Sequence, residues 1–197
     1  MFGFKGHLDF LRTESFMDLR IMPLFTVDSG DDTTVEKQLD CAEKAYKFHG
    51  FRLVFWPYRT KNSKNTIPSK DLIGPHLGEA IDLWRGAARL YGAQISYILP
   101  IVFAEFKSDR IAGITWDMPK HGLIGTMMTG GVTKPMCTIN TRICTRLTTA
   151  HEICHAAGLE DQYEDKNRLT FGIGTTREGY LLEPLEVQKV GASSFAY

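Results

Sequence analysis

Residues 148–161 read TTAHEICHAAGLED, and this stretch decides how the rest of the chain is interpreted. His151 and His155 are four residues apart, so on a helix both imidazoles leave the same face one turn apart and can chelate a single metal ion. The opposite side of this helix carries an apolar stripe of Leu147, Ala150, Cys154 and Ala157. We therefore predict a helix that packs on the core and turns its histidines toward a cleft.

The residues after the second histidine supply a third ligand. Gly158 lies three residues after His155, where a glycine can adopt the left-handed conformation that ends a helix and reverses the chain. Asp161, three residues further on, then returns as a ligand. Two neutral imidazoles and one carboxylate suit Zn²⁺ at bond lengths of about 2.0 to 2.2 Å and leave a fourth position for water. We predict one catalytic zinc ion held by His151, His155 and Asp161.

Glu152 follows the first ligand directly, and we predict that it is the general base. Its carboxylate does not bind the metal there, but it can accept a proton from a zinc-activated water as that water attacks a carbonyl. An HExxH string alone arises by chance in helices that carry two histidines. The full HExxHxxGxxD spacing, placed after a predicted strand, favours a metal site.

The string HEICHAAGLED resembles the zinc-binding consensus of the metzincin clan of metallopeptidases, in its variant with aspartate as third ligand. The order of strands and helices before it is also similar to the upper subdomain of that clan. The resemblance covers roughly residues 19–190. It implies a zincin-like fold, in which a mixed twisted sheet has two backing helices and an active-site helix, followed by a small C-terminal subdomain.

The chain departs from that clan at one position. The clan carries a methionine in a tight turn beneath the metal, yet no methionine follows Met136 here. The segment NRLTFGIGTTREGYLLEPLEVQKV resembles the region where related bacterial and archaeal members have an Asn-x-Met turn followed by a Leu-x-Pro helix start. Leu169 or Thr170 stands where the methionine is expected. Because that methionine is not a ligand, its absence bears on family placement more than on chemistry.

Other side chains compete for roles at this site. Glu178, in GTTREGY, and His121 are rival third ligands, but Asp161 is preferred because its spacing also explains Gly158. Some clan members add a tyrosine that touches the metal or the oxyanion, and the downstream candidates are Tyr163 and Tyr180; a core or surface position is favoured for both. The remaining histidines lack a partner at ligand spacing and are predicted at surfaces or helix ends: His7, His49 and His76.

Strand-like and helical patterns alternate before the motif and indicate an α/β sandwich. Strands are predicted at 19–27, 51–56, 95–106, 111–116 and 136–140. Helices are predicted from Thr33, with a Thr33–Glu36 capping box, to Gly50, and from Leu77 to Gly92. The residues between 57 and 76 are predicted to form a polar, locally basic surface loop. Residues 117–131, which are rich in glycine and methionine, are predicted to form the rim of a cleft.

Composition bounds the setting of the protein. The 197 residues, 43% hydrophobic, fit one domain over 1–197, with an upper subdomain at about 19–158 and a lower one at about 159–197. Lysine plus arginine and aspartate plus glutamate balance at 23 each, which favours neither nucleic acid nor an anionic membrane as partner. No secretory signal or membrane span is recognised, so we expect a cytoplasmic protein or one exported by a signal-independent route.

Cysteine usage argues against a disulfide scaffold. Four cysteines stand without CxxC spacing, and free, partly buried thiols are expected. A bridge between Cys137 and Cys144 is an alternative without support from spacing.

Three functions are consistent with these patterns. The leading one is a zinc metallopeptidase in which an extended peptide or protein substrate pairs with an edge strand at the rim formed by 111–131. The second is a zincin-fold binding module that keeps the metal and has lost turnover. The third is a zinc hydrolase or effector toxin acting on another amide, such as a cell-wall peptide, because the metal chemistry does not choose the leaving group.

Overall fold

The computed structural model describes residues 16–30, 32–74, 76–92, 97–108, 110–119 and 133–197. Six strands and four helices lie in these ranges. They are β1 (Met17–Thr26), α1 (Asp32–Phe48), β2 (Phe51–Phe55), β3 (Thr66–Ile67), α2 (Leu77–Tyr91), β4 (Leu99–Ala104), β5 (Gly113–Pro119), β6 (Thr133–Asn140), α3 (Thr148–Ala156) and α4 (Pro184–Gly191).

The strands form one mixed sheet in the order β2-β1-β4-β6-β5, and β3 pairs with the end of β1. All neighbouring strands are parallel except β5, which runs antiparallel to β6. All of β4 and most of β1 are buried, as expected for central strands of a sheet covered on both faces. The predicted mixed α/β fold is thus confirmed, and β5 lies at one end of the sheet order.

Alternating side chains of the central strands divide the core into two apolar clusters, one on each face of the sheet. On β4, Ile101 belongs to the cluster shared with α1 and α3, whereas Val102 belongs to the cluster shared with α2. The helix that carries the histidines therefore packs beside α1 on one face, and α2 covers the other.

The element boundaries differ from the predictions in small ways. α1 starts at Asp32, so Thr33 lies inside the helix and is not its N-cap, which corrects the predicted capping box. Gly50 and Gly92 follow α1 and α2 with φ of 82° and 55°, and their predicted place at the helix ends is confirmed. The predicted strand at 95–106 is shorter, and the rim residues 120–131 lie outside the described residues.

The polar loop after β2 holds the two-residue strand β3, which was not predicted. Thr66 and Ile67 pair with Phe25 and Thr26 at the end of β1. Two residues are too few to produce a period-two pattern, so the sequence carries no signal for this strand.

The C-terminal residues return to the same core as α3. Leu159, Leu169, Leu182, Val190 and Phe195 all join the cluster between α1 and the sheet. This packing holds the segment after α3 close to the histidines. Among the described residues, no helix is both long enough and apolar enough to cross a membrane.

Candidate metal centre

Side chains of α1 fix the first turns of α3. The buried Gln38 accepts hydrogen bonds from Thr149 N at 3.1 Å and Thr149 Oγ1 at 3.0 Å, and its amide donates to the carbonyl of Thr145. The Tyr46 hydroxyl donates to the carbonyl of Ala150 at 2.9 Å. Because Gln38 satisfies a backbone N–H that has no partner within the helix, the start of α3 is held against α1 without an unpaired buried donor.

The end of α3 is a Schellman turn that carries the chain back toward the histidines. Gly158 has a φ of 79°, its N–H donates to the carbonyl of His155 at 2.9 Å, and Leu159 N donates to Cys154 O at 3.0 Å. Gly158 thus has the left-handed conformation that its place in the sequence predicted. Asp161 follows this reversal and points back at the helix.

The structure brings the three predicted ligands together. His151 Nε2 and His155 Nε2 lie 2.9 Å apart, and Asp161 Oδ1 is 3.3 Å from the first and 3.4 Å from the second. Tetrahedral zinc with bonds of about 2.0 to 2.1 Å requires ligand atoms about 3.3 to 3.4 Å apart. The triangle of two nitrogens and one oxygen therefore fits a zinc ion with only a small adjustment between the two imidazoles.

The other nitrogen of each imidazole fixes the tautomer. His151 Nδ1 lies 2.8 Å from the carbonyl of Leu169, and His155 Nδ1 lies 2.8 Å from the carbonyl of Leu159. A carbonyl only accepts, so both Nδ1 atoms carry the proton and both Nε2 atoms present lone pairs, as metal-binding histidines require. Burial, assisted by the positive charge of Arg177, lowers the pKa of His151 to about 3, which keeps this imidazole neutral.

Glu152 lies beside this triangle and is held by β5. Its side chain is buried, with 4% of the residue exposed. Thr115 Oγ1 is 2.8 Å from Glu152 Oε2 and 2.9 Å from the Glu152 carbonyl, so its proton is donated to one of these two oxygens. At Gly113, a Cβ would lie only 2.8 Å from both Cγ and Oε1 of Glu152. The absence of a side chain there leaves the space that the glutamate fills.

Gly113 and Thr115 were not predicted as site residues. Residues two apart on a strand point to the same face, so Gly113, Thr115 and Asp117 all face α3 once β5 is the edge strand. Alternation along the strand predicts that these three residues share one face, but it does not predict which helix packs against that face.

Burial raises the pKa of Glu152 above its usual range, while the hydrogen bond from Thr115 acts in the opposite direction. A carboxylate with a raised pKa holds a proton more readily near neutral pH. Glu152 is therefore suited to accept a proton and to release it again.

Two cavities flank Glu152. One, of about 380 Å³, is lined by Glu152, His155, Asp161 and the β5 residues 113–115 and 117; we name it the Asp117 cavity. The other, of about 460 Å³, is lined by Glu152, His151, the segments 110–113 and 172–175, and Arg177; we name it the Arg177 cavity. A larger cavity of about 510 Å³ lies elsewhere, near Asp28 and Lys107, and contains none of the predicted ligands.

The rival residues lie apart from the triangle. Glu178 is exposed and bonds to Lys166 Nζ at 2.6 Å. Within the described ranges, the cluster of metal-ligating side chains consists of His151, His155 and Asp161. The other rival, His121, lies outside the described residues.

The two candidate tyrosines and His49 contact residues other than the three predicted ligands. The ring of Tyr163 packs against Phe171, and the ring of Tyr180 packs against Phe48. His49 bonds to the carbonyl of Tyr180, and His76 lies at the start of α2 without a side-chain capping bond. His7 lies outside the described residues.

Leu169 is one of the two residues, with Thr170, at which the resemblance places the missing methionine. Its side chain is fully buried, and its carbonyl accepts the hydrogen bond from His151. The preceding Arg168 bonds to Glu183 and Glu186, which form a capping box at the start of α4. Leu169 is thereby held next to a predicted ligand, which it contacts through its backbone carbonyl.

All four cysteines are free, and Cys137 and Cys154 are fully buried. The predicted free thiols are confirmed, and the alternative bridge to Cys144 is not formed. Burial raises the pKa of Cys154 to about 12, so this core thiol stays protonated.

No protein-family model matches the chain, and no curated protein matches it. Among solved structures, the chain is similar to metalloproteinase-II from Bacteroides fragilis, with a TM-score of 0.57 and 14% identity over 90% of this chain and 53% of that chain. A chain in the structure of a chaperone–substrate complex gives a TM-score of 0.48 and 10% identity, over 90% of this chain and 34% of that one. This chain thus spans about half the length of the metalloproteinase, with which it shares its fold.

Proposed function

We propose that the protein is a zinc-dependent peptidase whose metal ligands are His151, His155 and Asp161 and whose general base is Glu152. The observation that carries this proposal is the placement of a buried carboxylate beside two imidazoles with outward lone pairs and a carboxylate oxygen at zinc-ligand spacing. The fold shared with a protein named as a metalloproteinase supports it.

When bound, zinc supplies a Lewis acid that polarises a carbonyl and promotes the ionisation of water. Glu152 accepts the proton of the attacking water and delivers it to the nitrogen of the leaving amine, so that the peptide bond breaks as the new carbon–oxygen bond forms. Thr115 holds the carboxylate by donating its hydroxyl proton. The carbonyls of Leu169 and Leu159 keep both imidazoles in the tautomer that binds metal.

The substrate class follows from β5. This strand ends the sheet order in the part of the chain that the structure describes, and its backbone runs directly beside Glu152. An extended peptide can add to such an edge through main-chain hydrogen bonds. The reacting carbonyl would then lie between the Asp117 cavity and the Arg177 cavity, both of which Glu152 lines.

The binding-module alternative has no support from the position of Glu152. Burying a carboxylate is unfavourable, and a metal site with a purely structural role has no use for a base next to its ligand. Thr115 lies within hydrogen-bond distance of Glu152, and the missing side chain at Gly113 leaves the space that Glu152 occupies. Both features accommodate the glutamate rather than the metal.

The test is hydrolysis of a denatured protein by the zinc-loaded chain. We expect cleavage that a chelator abolishes and that added zinc restores. Glu152→Gln should keep the metal and lose turnover by about 100- to 10,000-fold, the usual contribution of a general base. Wild-type activity in this variant would refute the assignment of the base, and chelator-insensitive cleavage would refute the metal mechanism.

A further inference from the structure

Arg177 is a buried cation that forms no ion pair with the described residues. Only 8% of the residue is exposed, and no carboxylate in the described ranges lies within 4.0 Å of its guanidinium. Its Nε and Nη2 donate to the carbonyl of Phe171 at 2.8 and 2.5 Å. Burying an arginine without an ion pair is unfavourable, and burial accordingly lowers its pKa. Because its burial is unfavourable, we expect Arg177 to have a function in addition to packing.

The contacts of Arg177 leave a carboxylate-binding edge. A guanidinium has N–H donors on all three nitrogens, and the bonds to Phe171 use one on Nε and one on Nη2. Nη1 and the second N–H of Nη2 form the fork that binds both oxygens of a carboxylate at once. In the described part of the structure no acceptor takes these donors.

Arg177 lines the cavity that adjoins the general base. The Arg177 cavity has a volume of about 460 Å³, within the range of about 300 to 1,000 Å³ common for ligand pockets. Arg110 lines it as well, and Glu152 is the only acidic residue of the described ranges in its wall. The cavity on the other side of Glu152 has Asp117 and Asp161 in its wall. Apart from the proposed ligands and Glu152, the charged side chain in the wall of the Asp117 cavity is Asp117, whereas the wall of the Arg177 cavity has Arg110 and Arg177.

We propose that the Arg177 cavity binds the side chain of an aspartate or glutamate in the substrate, so that cleavage occurs next to an acidic residue. This inference rests on the proposed peptidase function. The fork of Arg177 supplies the partner for the carboxylate, and the carboxylate in turn neutralises the buried cation. Arg110, which is exposed, adds positive charge to the wall of the same cavity.

The test begins with wild-type, zinc-loaded protein and a library of short peptides, whose cleaved members identify the preferred sequence. Two peptides are then compared that differ only in glutamate or glutamine beside the cleaved bond. We expect kcat/KM to be about 10- to 100-fold higher for the glutamate peptide, as charge-assisted hydrogen bonds produce. Calorimetric binding of both peptides to the zinc-free chain gives a second readout, with tighter binding expected for the glutamate peptide.

Variants assign the preference to Arg177. Arg177→Gln should bring the ratio of the two kcat/KM values close to one through loss on the glutamate peptide, and Arg177→Lys should keep part of it. Arg85→Gln removes the same charge from the exposed face of α2 and should leave the ratio unchanged. If Arg177→Gln does not fold, the lysine variant replaces it.

The outcomes separate this inference from the function on which it rests. Cleavage of both peptides at equal rates by the wild type, or a preference that survives in Arg177→Gln, would overturn the inference and leave the peptidase function intact. Failure to cleave any peptide in the library would overturn the peptidase function and the inference with it.

Discussion

Gly113→Ala is a sharp test of how β5 positions Glu152, the proposed general base. The added Cβ would lie 2.8 Å from Cγ and Oε1 of Glu152 and 2.8 Å from Cγ2 of Thr148. The backbone of Gly113 does not have the left-handed conformation, so alanine meets a spatial obstacle there and no strained φ. Glu152 Cγ has to retreat by roughly 0.6 Å to reach 3.4 Å, where ordinary contact begins.

We expect this displacement to lower kcat by up to about 100-fold, the cost of misplacing a reacting group by about 1 Å. The loss corresponds to about 2.7 kcal/mol of transition-state stabilisation. Zinc content should stay at the wild-type level, since the three atoms nearest the added Cβ belong to Glu152 and Thr148 and not to a predicted ligand. The assay measures kcat on one peptide substrate together with zinc stoichiometry and the thermal midpoint of each preparation.

Gly78→Ala is the matched control. Gly78 lies in the first turn of α2, is exposed, and has no atom within 4 Å of the added Cβ. Its replacement should leave kcat unchanged and keep or slightly raise stability. A folded, zinc-loaded Gly113→Ala enzyme with wild-type kcat would refute the reasoning.

Three further predictions concern the third ligand, the hydrogen-bond donor to Glu152 and the turn after α3. Asp161→Ala should weaken zinc binding by more than about 100-fold in a competition titration, because losing a ligand costs more than losing a hydrogen bond to a ligand. Glu178→Ala should leave zinc binding unchanged. The reverse result would reassign the third ligand to Glu178. Thr115→Val removes the donor to Glu152 and should lower kcat by about tenfold with zinc retained, so an unchanged kcat would remove Thr115 from the site. Gly158→Ala places a side chain at a φ of 79° and should lower unfolding free energy by about 1 to 2 kcal/mol in denaturant titrations; no change would contradict the turn that returns Asp161 to the helix.

The candidate ligands could be predicted because their relation is local. The separation of His151 and His155 fixes their common face on any helix, and Gly158 supplies the reversal that returns Asp161 to that face. The apolar runs of the central strands and the two glycines that end α1 and α2 were readable for the same reason. In each case a short stretch of chain sets the geometry.

The partners of these residues come from distant parts of the chain. Thr115 is 37 residues from Glu152 in sequence, and its role depends on β5 running antiparallel to β6 at the end of the strand order that the structure describes. Arg177 is unusual because it is buried and forms no ion pair with the described residues, a property that no local sequence pattern contains. The carbonyl of Leu169 is brought to His151 by the fold of the C-terminal segment. The resemblance predicts a methionine side chain in this region, whereas the contact with His151 comes from a backbone oxygen.

The most direct test of the central claim is the zinc X-ray absorption spectrum of the purified chain, recorded after loading with one equivalent of metal. The proposed site predicts tight binding of one zinc per chain, with a first shell of nitrogen and oxygen at about 2.0 to 2.2 Å and imidazole scattering from two histidines. In His151→Ala this spectrum should be lost. A first shell containing sulfur, or a chain that binds no zinc, would contradict the account.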